Sequence, residues 1–237
     1  MTLFPLARGG GLAALLALAA CLGAPNAGAQ PAYPDKPLRI MVGASPGGGT
    51  DILARVLADK FSPVLKQPVT VENRPGASNT IAGELTARAP ADGATLLLAT
   101  NTAQAVAPHI LKLKYDPLKD LQPIGLVAVM PNVLVVSASS PYRSVKDLVP
   151  TLAEQGIKGA DVSTWYGLYV PTGTPRPAVE RLSAELTRTL SLADVQSRIK
   201  ALGGEPGTLT GEPFATMNKQ EFDHYGQLVR DARIKAE

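Results

Sequence analysis

The sequence predicts an α/β fold with a parallel-type sheet flanked by helices. Three observations carry this. Short apolar runs of β type stand at 38–43, 68–76 and 94–100. Helical apolar patterns fill 50–65 and 79–89 between them. Gly- and Pro-rich punctuation separates each run from the next. Strand, helix, strand, helix, strand within about sixty residues is the signature of parallel strands joined by crossover helices.

The elements follow in order. Residues 30–37, "QPAYPDKP", are an extended lead-in. "LRIMVG", 38–43, is a short apolar run bounded by turn signals and reads as a buried strand. After "ASPGGG" a helix runs from about Thr50 to Leu65, with Ile52, Leu53, Val56, Leu57 and Phe61 as its inner face. "PVTVENRPG" alternates as a strand ending in a turn, "NTIAGELTARA" is a short helix, and "ATLLLAT" a second buried strand. Asn101 or Thr102 caps a helix through "NTAQAVAPHI". Residues 120–141 hold two apolar β-type runs joined at Met130-Pro131. "SVKDLVPTLAEQG", 144–156, opens with Ser144 and Asp147 at capping-box spacing, and Pro150 interrupts or kinks the helix. "DVSTWYGLYVPTGTP" is a strand and a turn, with Thr174 as N-cap and Pro175 in the first helical turn. Val179, Leu182, Leu186 and Leu190 form the inner stripe of the next helix, and a short helix ends at Gly203. The last helix spans about Glu212 to Ile234 with Phe214, Met217, Phe222, Tyr225, Leu228 and Val229 inward.

The first 29 residues are laid out as a secretory signal: Arg8, an apolar run from Leu12 to Leu22, and the small-residue end Ala27-Gly28-Ala29, with cleavage expected after Ala29. The run is shorter than the roughly 18 apolar residues a membrane span needs, and no later segment reaches that length. Cys21 is the single cysteine. "LAAC", 18–21, also has the form of a bacterial lipobox, so Cys21 is either a lipid-anchored residue or discarded with the signal. Either way the mature fold holds no disulfide. Removing 1–29 takes away Arg8 and no acid, leaving a formal charge of +2. The charges are dispersed, with no basic cluster interleaved with aromatics, which argues against a nucleic-acid partner.

The loop "SPGGGTD", 45–51, is the best candidate site. A strand, a glycine-rich turn and a helix N-terminus present unpaired N–H groups and the positive end of a helix dipole, and the absent Cβ atoms let an anion approach. A purely structural turn is the alternative reading. A P-loop needs Lys after the last glycine, but Thr50-Asp51 follows Gly49; the G-x-G-x-x-G spacing fails as well. Asp51 serves the first helical turn electrostatically or bonds a ligand amine. Thr100, Asn101 and Thr102 lie beyond the next parallel strand, at the same end of the sheet, as either a second ligand loop or a polar helix cap. His109 and His224 are far apart, without metal-ligand spacing, and read as surface or packing residues. Trp165 and Tyr166 read as core or cleft wall. There is no mature cysteine nucleophile, no G-x-S-x-G elbow and no paired acids. The expectation is a binder, not an enzyme, with no cofactor and no metal.

"YPDKPLRIMV", "SPGGGTDILAR", "PVTVENRPGASNTIAGE", "DGATLLLATNT", "YDPLKDLQPIGLVAVMPNVLVV", "WYGLYVPTGTPRPAVERLSAEL" and "IKALGGEP" together resemble the periplasmic solute receptors of tripartite tricarboxylate transporters, the Bug family. The resemblance covers nearly all of the mature chain. It implies a periplasmic binding protein-like (type II) fold with two lobes, a small carboxylate ligand, and membrane permease subunits as partners. It implies ligand contacts at Ser45, Pro46, Gly47, Gly48, Gly49, Thr50, Asp51, Thr100, Asn101 and Thr102, largely through backbone amides. Ala44 stands where the family often has an aromatic residue. The departure is an omission: "SVKDL" runs straight into "VPTLAEQG", without the roughly 80–90 residues of second lobe that the family places between them, enough to be most of a small domain. The expected organisation is a signal at 1–29, a main lobe of 30–130 and 171–237, and crossing strands with a second-lobe remnant at 131–170. The missing wall implies impaired binding, and a protein-interaction role is the alternative. An enzyme holding a phosphate on the Gly loop is a further rival.

Overall fold

The computed structural model describes residues 33–133, 135–144, 146–147 and 163–234. The expected signal and cleavage site, Cys21, Pro150 with its expected junction, and most of the helix expected at 144–156 lie outside the described residues. At the head of that helix Ser144 and Asp147 form a reciprocal box: the Asp147 amide donates to Ser144 Oγ at 3.3 Å, and the Ser144 amide to Asp147 Oδ2 at 2.9 Å.

The chain runs β1 (Leu38–Val42), α1 (Gly49–Leu65), β2 (Val69–Asn73), a 3₁₀ turn (Ala77–Asn79), α2 (Thr80–Ala87), β3 (Thr95–Thr100), a π-turn (Thr102–Val106), α3 (Ala107–Ile110), β4 (Leu121–Pro131), β5 (Ser163–Pro171), α4 (Arg176–Leu190), α5 (Ala193–Ala201), β6 (Glu205–Pro206) and α6 (Glu212–Asp231). The strands form one sheet in the order β2-β1-β3-β5-β4-β6. β1 pairs in parallel with β2 and β3, whereas β5 is antiparallel to both β3 and β4, and β6 antiparallel to β4. The sheet is therefore mixed, a refinement of the parallel type expected. β5 enters between β3 and β4 from a distant part of the chain, a direction that local periodicity does not encode.

Two cores sandwich the sheet. Leu38, Ile40 and Val42, Leu96 and Leu98, and Leu168 and Val170 point to one face, against Leu53, Leu57 and Phe61 of α1 and Leu182, Leu186 and Leu190 of α4. Met41, Leu97, Trp165 and Tyr169 point to the other, against Ala82 of α2 and Phe214 of α6. Burial on both faces explains why β1 and β3 read as continuous apolar runs.

Three expectations are corrected. Ile52 is 37% exposed, so the inner stripe of α1 excludes it. The second apolar run after Met130-Pro131 forms no strand among the described residues, and Val133 and Val135 are 81% and 79% exposed. Thr174 is not the N-cap of α4: its hydroxyl donates to Pro171 O at 2.7 Å, and Pro175 takes the cap position.

Candidate functional site

The Gly loop leaves the C-terminal end of β1 and enters α1. Ser45, Pro46 and Gly47 are exposed, Gly48 and Gly49 half-buried, and Thr50 and Asp51 buried. Gly47 sits at φ +82°, a conformation that favours glycine.

Asp51 organises this loop. Its Oδ2 accepts the Gly47 amide at 2.9 Å and Arg55 Nε at 2.9 Å. Its Oδ1 accepts Arg55 Nη2 at 3.0 Å and Asn73 Nδ2 at 2.9 Å. Asn73 also donates to Ala44 O at 3.0 Å, tying the start of the loop to the end of β2. The Arg55 guanidinium, first, and then the Gly47 and Asn73 donors hold the Asp51 carboxyl down to about 2, against the opposing effect of burial. With both oxygens engaged internally, Asp51 is a loop-fixing residue with no acceptor left for a ligand amine.

The expected fan of amides at residues 47–50 divides in two. Gly47 N–H is held by Asp51, and Gly48 N–H donates to Ser45 O at 3.2 Å. The first helical bond runs from Ile52 N–H to Gly48 O at 3.0 Å, so the Gly49 and Thr50 amides have no acceptor among the described residues. They stand at the positive end of a 17-residue helix.

The loop after β3 also divides. Asn101 is engaged: its Nδ2 donates to Ser163 O at 2.9 Å and its Oδ1 accepts the Thr102 amide at 3.0 Å, which fastens the start of β5 to the end of β3. Thr102 is exposed. Thr100 is 6% exposed, and its Oγ1 is buried without a hydrogen-bond partner. A buried hydroxyl left unpaired costs about 1–3 kcal/mol, so it marks a place where a partner belongs.

Tyr166 is the residue that motif reasoning passed over. It is the cross-strand partner of Thr100 in the β3–β5 pair and packs in the α1-side core. Its hydroxyl lies 3.6 Å from the point a Cβ on Gly49 would occupy. Burial raises its phenol above the usual range. A tyrosine directly after a tryptophan in an apolar strand is the only sequence signal, and it does not say which face the ring takes. His109 is half-buried, with Nε2 2.8 Å from Phe222 O, and His224 is exposed. Among the described residues no group of acids, histidines or cysteines could hold a metal, and no helix is long and apolar enough to cross a membrane.

The sequence model described as "Tripartite tricarboxylate transporter family receptor" matches residues 53–150. A UPF0065 protein from the tcbD-tcbE intergenic region of a Pseudomonas species is 27% identical over 93% of this chain and 94% of its own length. That alignment is 316 residues long against a chain of 237, so at least 79 of its positions have no counterpart here. A UPF0065 protein of Bordetella bronchiseptica is 42% identical over 59% of this chain. The chain spans only 36–42% of that relative and of two further ones from Bordetella pertussis. The periplasmic binding protein BugD superimposes with a TM-score of 0.71 at 25% identity, covering 86% of this chain and all of BugD. An R. palustris protein solved with adipate has the same fold, with a TM-score of 0.76 at 20% identity over 86% of this chain and 100% of its own. Residues 53–150 thus resemble the tripartite tricarboxylate transporter receptors in sequence, and the chain shares the fold of BugD.

Proposed function

We propose that this chain is an extracytoplasmic solute receptor of the tripartite tricarboxylate transporter type. It binds one small carboxylate at the C-terminal ends of β1 and β3, and membrane permease subunits are its partners. Family members are periplasmic solute-binding proteins; the signal read at 1–29 supports the same compartment, with lipid anchoring at Cys21 as the variant form. The carboxylate class is supported by the family's description and by the adipate of the R. palustris structure.

The single observation that carries the reading is the pair of amides at Gly49 and Thr50, at a helix N-terminus, that have no acceptor among the described residues. Residues 30–130 and 171–237 serve as the ligand-bearing main lobe, with 131–170 as crossing strands and remnant. A two-lobed receptor encloses most of its ligand when it closes. Loss of much of the second lobe leaves this chain one wall of the site and weakens its hold.

Isothermal titration of the mature protein against a panel of small carboxylic acids tests this, with Gly48→Leu as control. Gly48 suits the control because a Cβ there stands 3.3 Å from Ser45 O, so a large side chain disturbs the loop. Saturable binding near the millimolar range is expected, about −4 kcal/mol, and lost in the control. No binding by folded protein overturns the reading. A second reading, a protein-interaction role, draws on the exposure of Val133, Val135 and Val136; a stable hetero-complex formed without ligand supports it.

A further inference from the structure

Resting on that reading, we propose that Tyr166 is a ligand-contacting residue: its phenol, with the Thr100 hydroxyl, forms the side-chain half of a neutral donor set that seats a single carboxylate on the Gly49 and Thr50 amides.

The argument starts from register. Thr100 closes β3 and pairs across the sheet with Tyr166 near the start of β5. Both side chains share the face that packs on α1: Leu96 and Leu98 precede Thr100 at alternate positions, Leu168 and Val170 follow Tyr166 in the same way, and all four lie in the α1-side core. The Tyr166 hydroxyl reaches the α1 N-terminus, 3.6 Å from the Cβ position of Gly49. Thr100 Oγ1, buried and unpartnered, is its cross-strand neighbour. The Tyr166 hydroxyl therefore stands at the Gly49 end of α1, with the Thr100 hydroxyl on the paired position of the neighbouring strand and the same sheet face.

The donors carry no formal charge. Arg55, the cation of this helical turn, directs both Nε and Nη2 to Asp51. The seat therefore meets an anion with hydrogen-bond donors and the helix dipole. Burial keeps the Tyr166 phenol protonated across the physiological range, so it acts as a donor. Four donors match the two oxygens of one carboxylate, each of which takes two hydrogen bonds.

Titration of the mature wild-type protein, Tyr166→Phe, Thr100→Val and Gly49→Ala tests this, with adipate, hexanoate and hexanamide as probes. Hexanoate is expected to bind within about threefold of adipate, and hexanamide not at all. Tyr166→Phe and Thr100→Val each weaken carboxylate binding by roughly three- to tenfold, the ordinary range for one lost hydrogen bond. The ligand-induced tyrosine ultraviolet difference signal disappears in Tyr166→Phe, whose melting temperature stays unchanged because the hydroxyl has no partner among the described residues. Gly49→Ala melts at the wild-type temperature or slightly above, since its Cβ meets only an ordinary contact, yet it loses hexanoate. If the wild type binds neither acid, the receptor reading falls and the inference with it. If the wild type binds and Tyr166→Phe binds equally, the inference alone falls. Equal binding of hexanamide also overturns it.

Discussion

The Asp51 carboxylate accepts the amide hydrogen of Gly47 at 2.9 Å, four residues back along the chain. This bond engages the amide of the first glycine of the loop, while the amide of the third has no acceptor among the described residues. The same carboxylate holds Arg55 and Asn73, and its side chain is 3% exposed.

That burial makes the loop sensitive to acid. The folded carboxyl ionises at about 2, against an ordinary 3.8. Its contribution, about 2 kcal/mol, is complete above roughly pH 5 and lost as the pH falls from there through the folded value. Asp51→Asn is expected to lower stability by about that amount at neutral pH and by much less near the folded value. Denaturant unfolding of the two proteins at both pH values measures the difference.

Asn73 holds the loop from outside, through Ala44 O at 3.0 Å and Asp51 Oδ1 at 2.9 Å. Asn73→Leu removes both bonds and leaves the Ala44 carbonyl unpaired, a loss of about 1–3 kcal/mol. The Gly47 amide is expected to exchange its hydrogen faster than in wild type, while amides of β3 keep their relative protection. Residue-resolved hydrogen exchange reads this.

Gly43 precedes the loop, where a Cβ would stand 2.6 Å from the Asn79 backbone. The obstacle is main chain, so Gly43→Ala must push the 3₁₀ turn away from β1. A destabilisation of about 1–3 kcal/mol is expected, read as a lower melting temperature. Gly49→Ala, without such a clash, is the contrasting case.

The exposed valines give a surface prediction. Val133, Val135 and Val136 are 81%, 79% and 49% exposed, just past the end of β4. Replacing all three with Thr is expected to reduce binding of an apolar dye and any concentration-dependent self-association. The melting temperature should hold, because these side chains bury little. Dye fluorescence and sedimentation across a concentration series measure the two effects.

Much of the sheet and its helices was legible in the sequence because their signals are local. β1, α1, β2, α2 and β3 follow from apolar spacing and turn residues within one window each, and the stripes of α4 and α6 from helical period. The Gly loop was legible for the same reason: three glycines before a helical pattern are a short-range event. Ile52 was misplaced because the period of α1 marks a face without marking its width. The run at 132–141 was misread as a strand because β-type residues need a neighbouring strand to pair with, and composition does not report whether one is present.

The sequence by itself determined the order of strands and helices, the glycine turn at the head of α1, and the family resemblance carried by short stretches on both sides of Pro150. These depend on neighbours a few residues away. Tertiary structure alone decided that β5 runs antiparallel between β3 and β4, that Asn73 and Asp51 meet, and that Tyr166 stands over Gly49 beside Thr100. Each joins residues 22 or more positions apart. Such contacts are selected by how the sheet and its two helical layers pack as a whole, and no local window holds both partners.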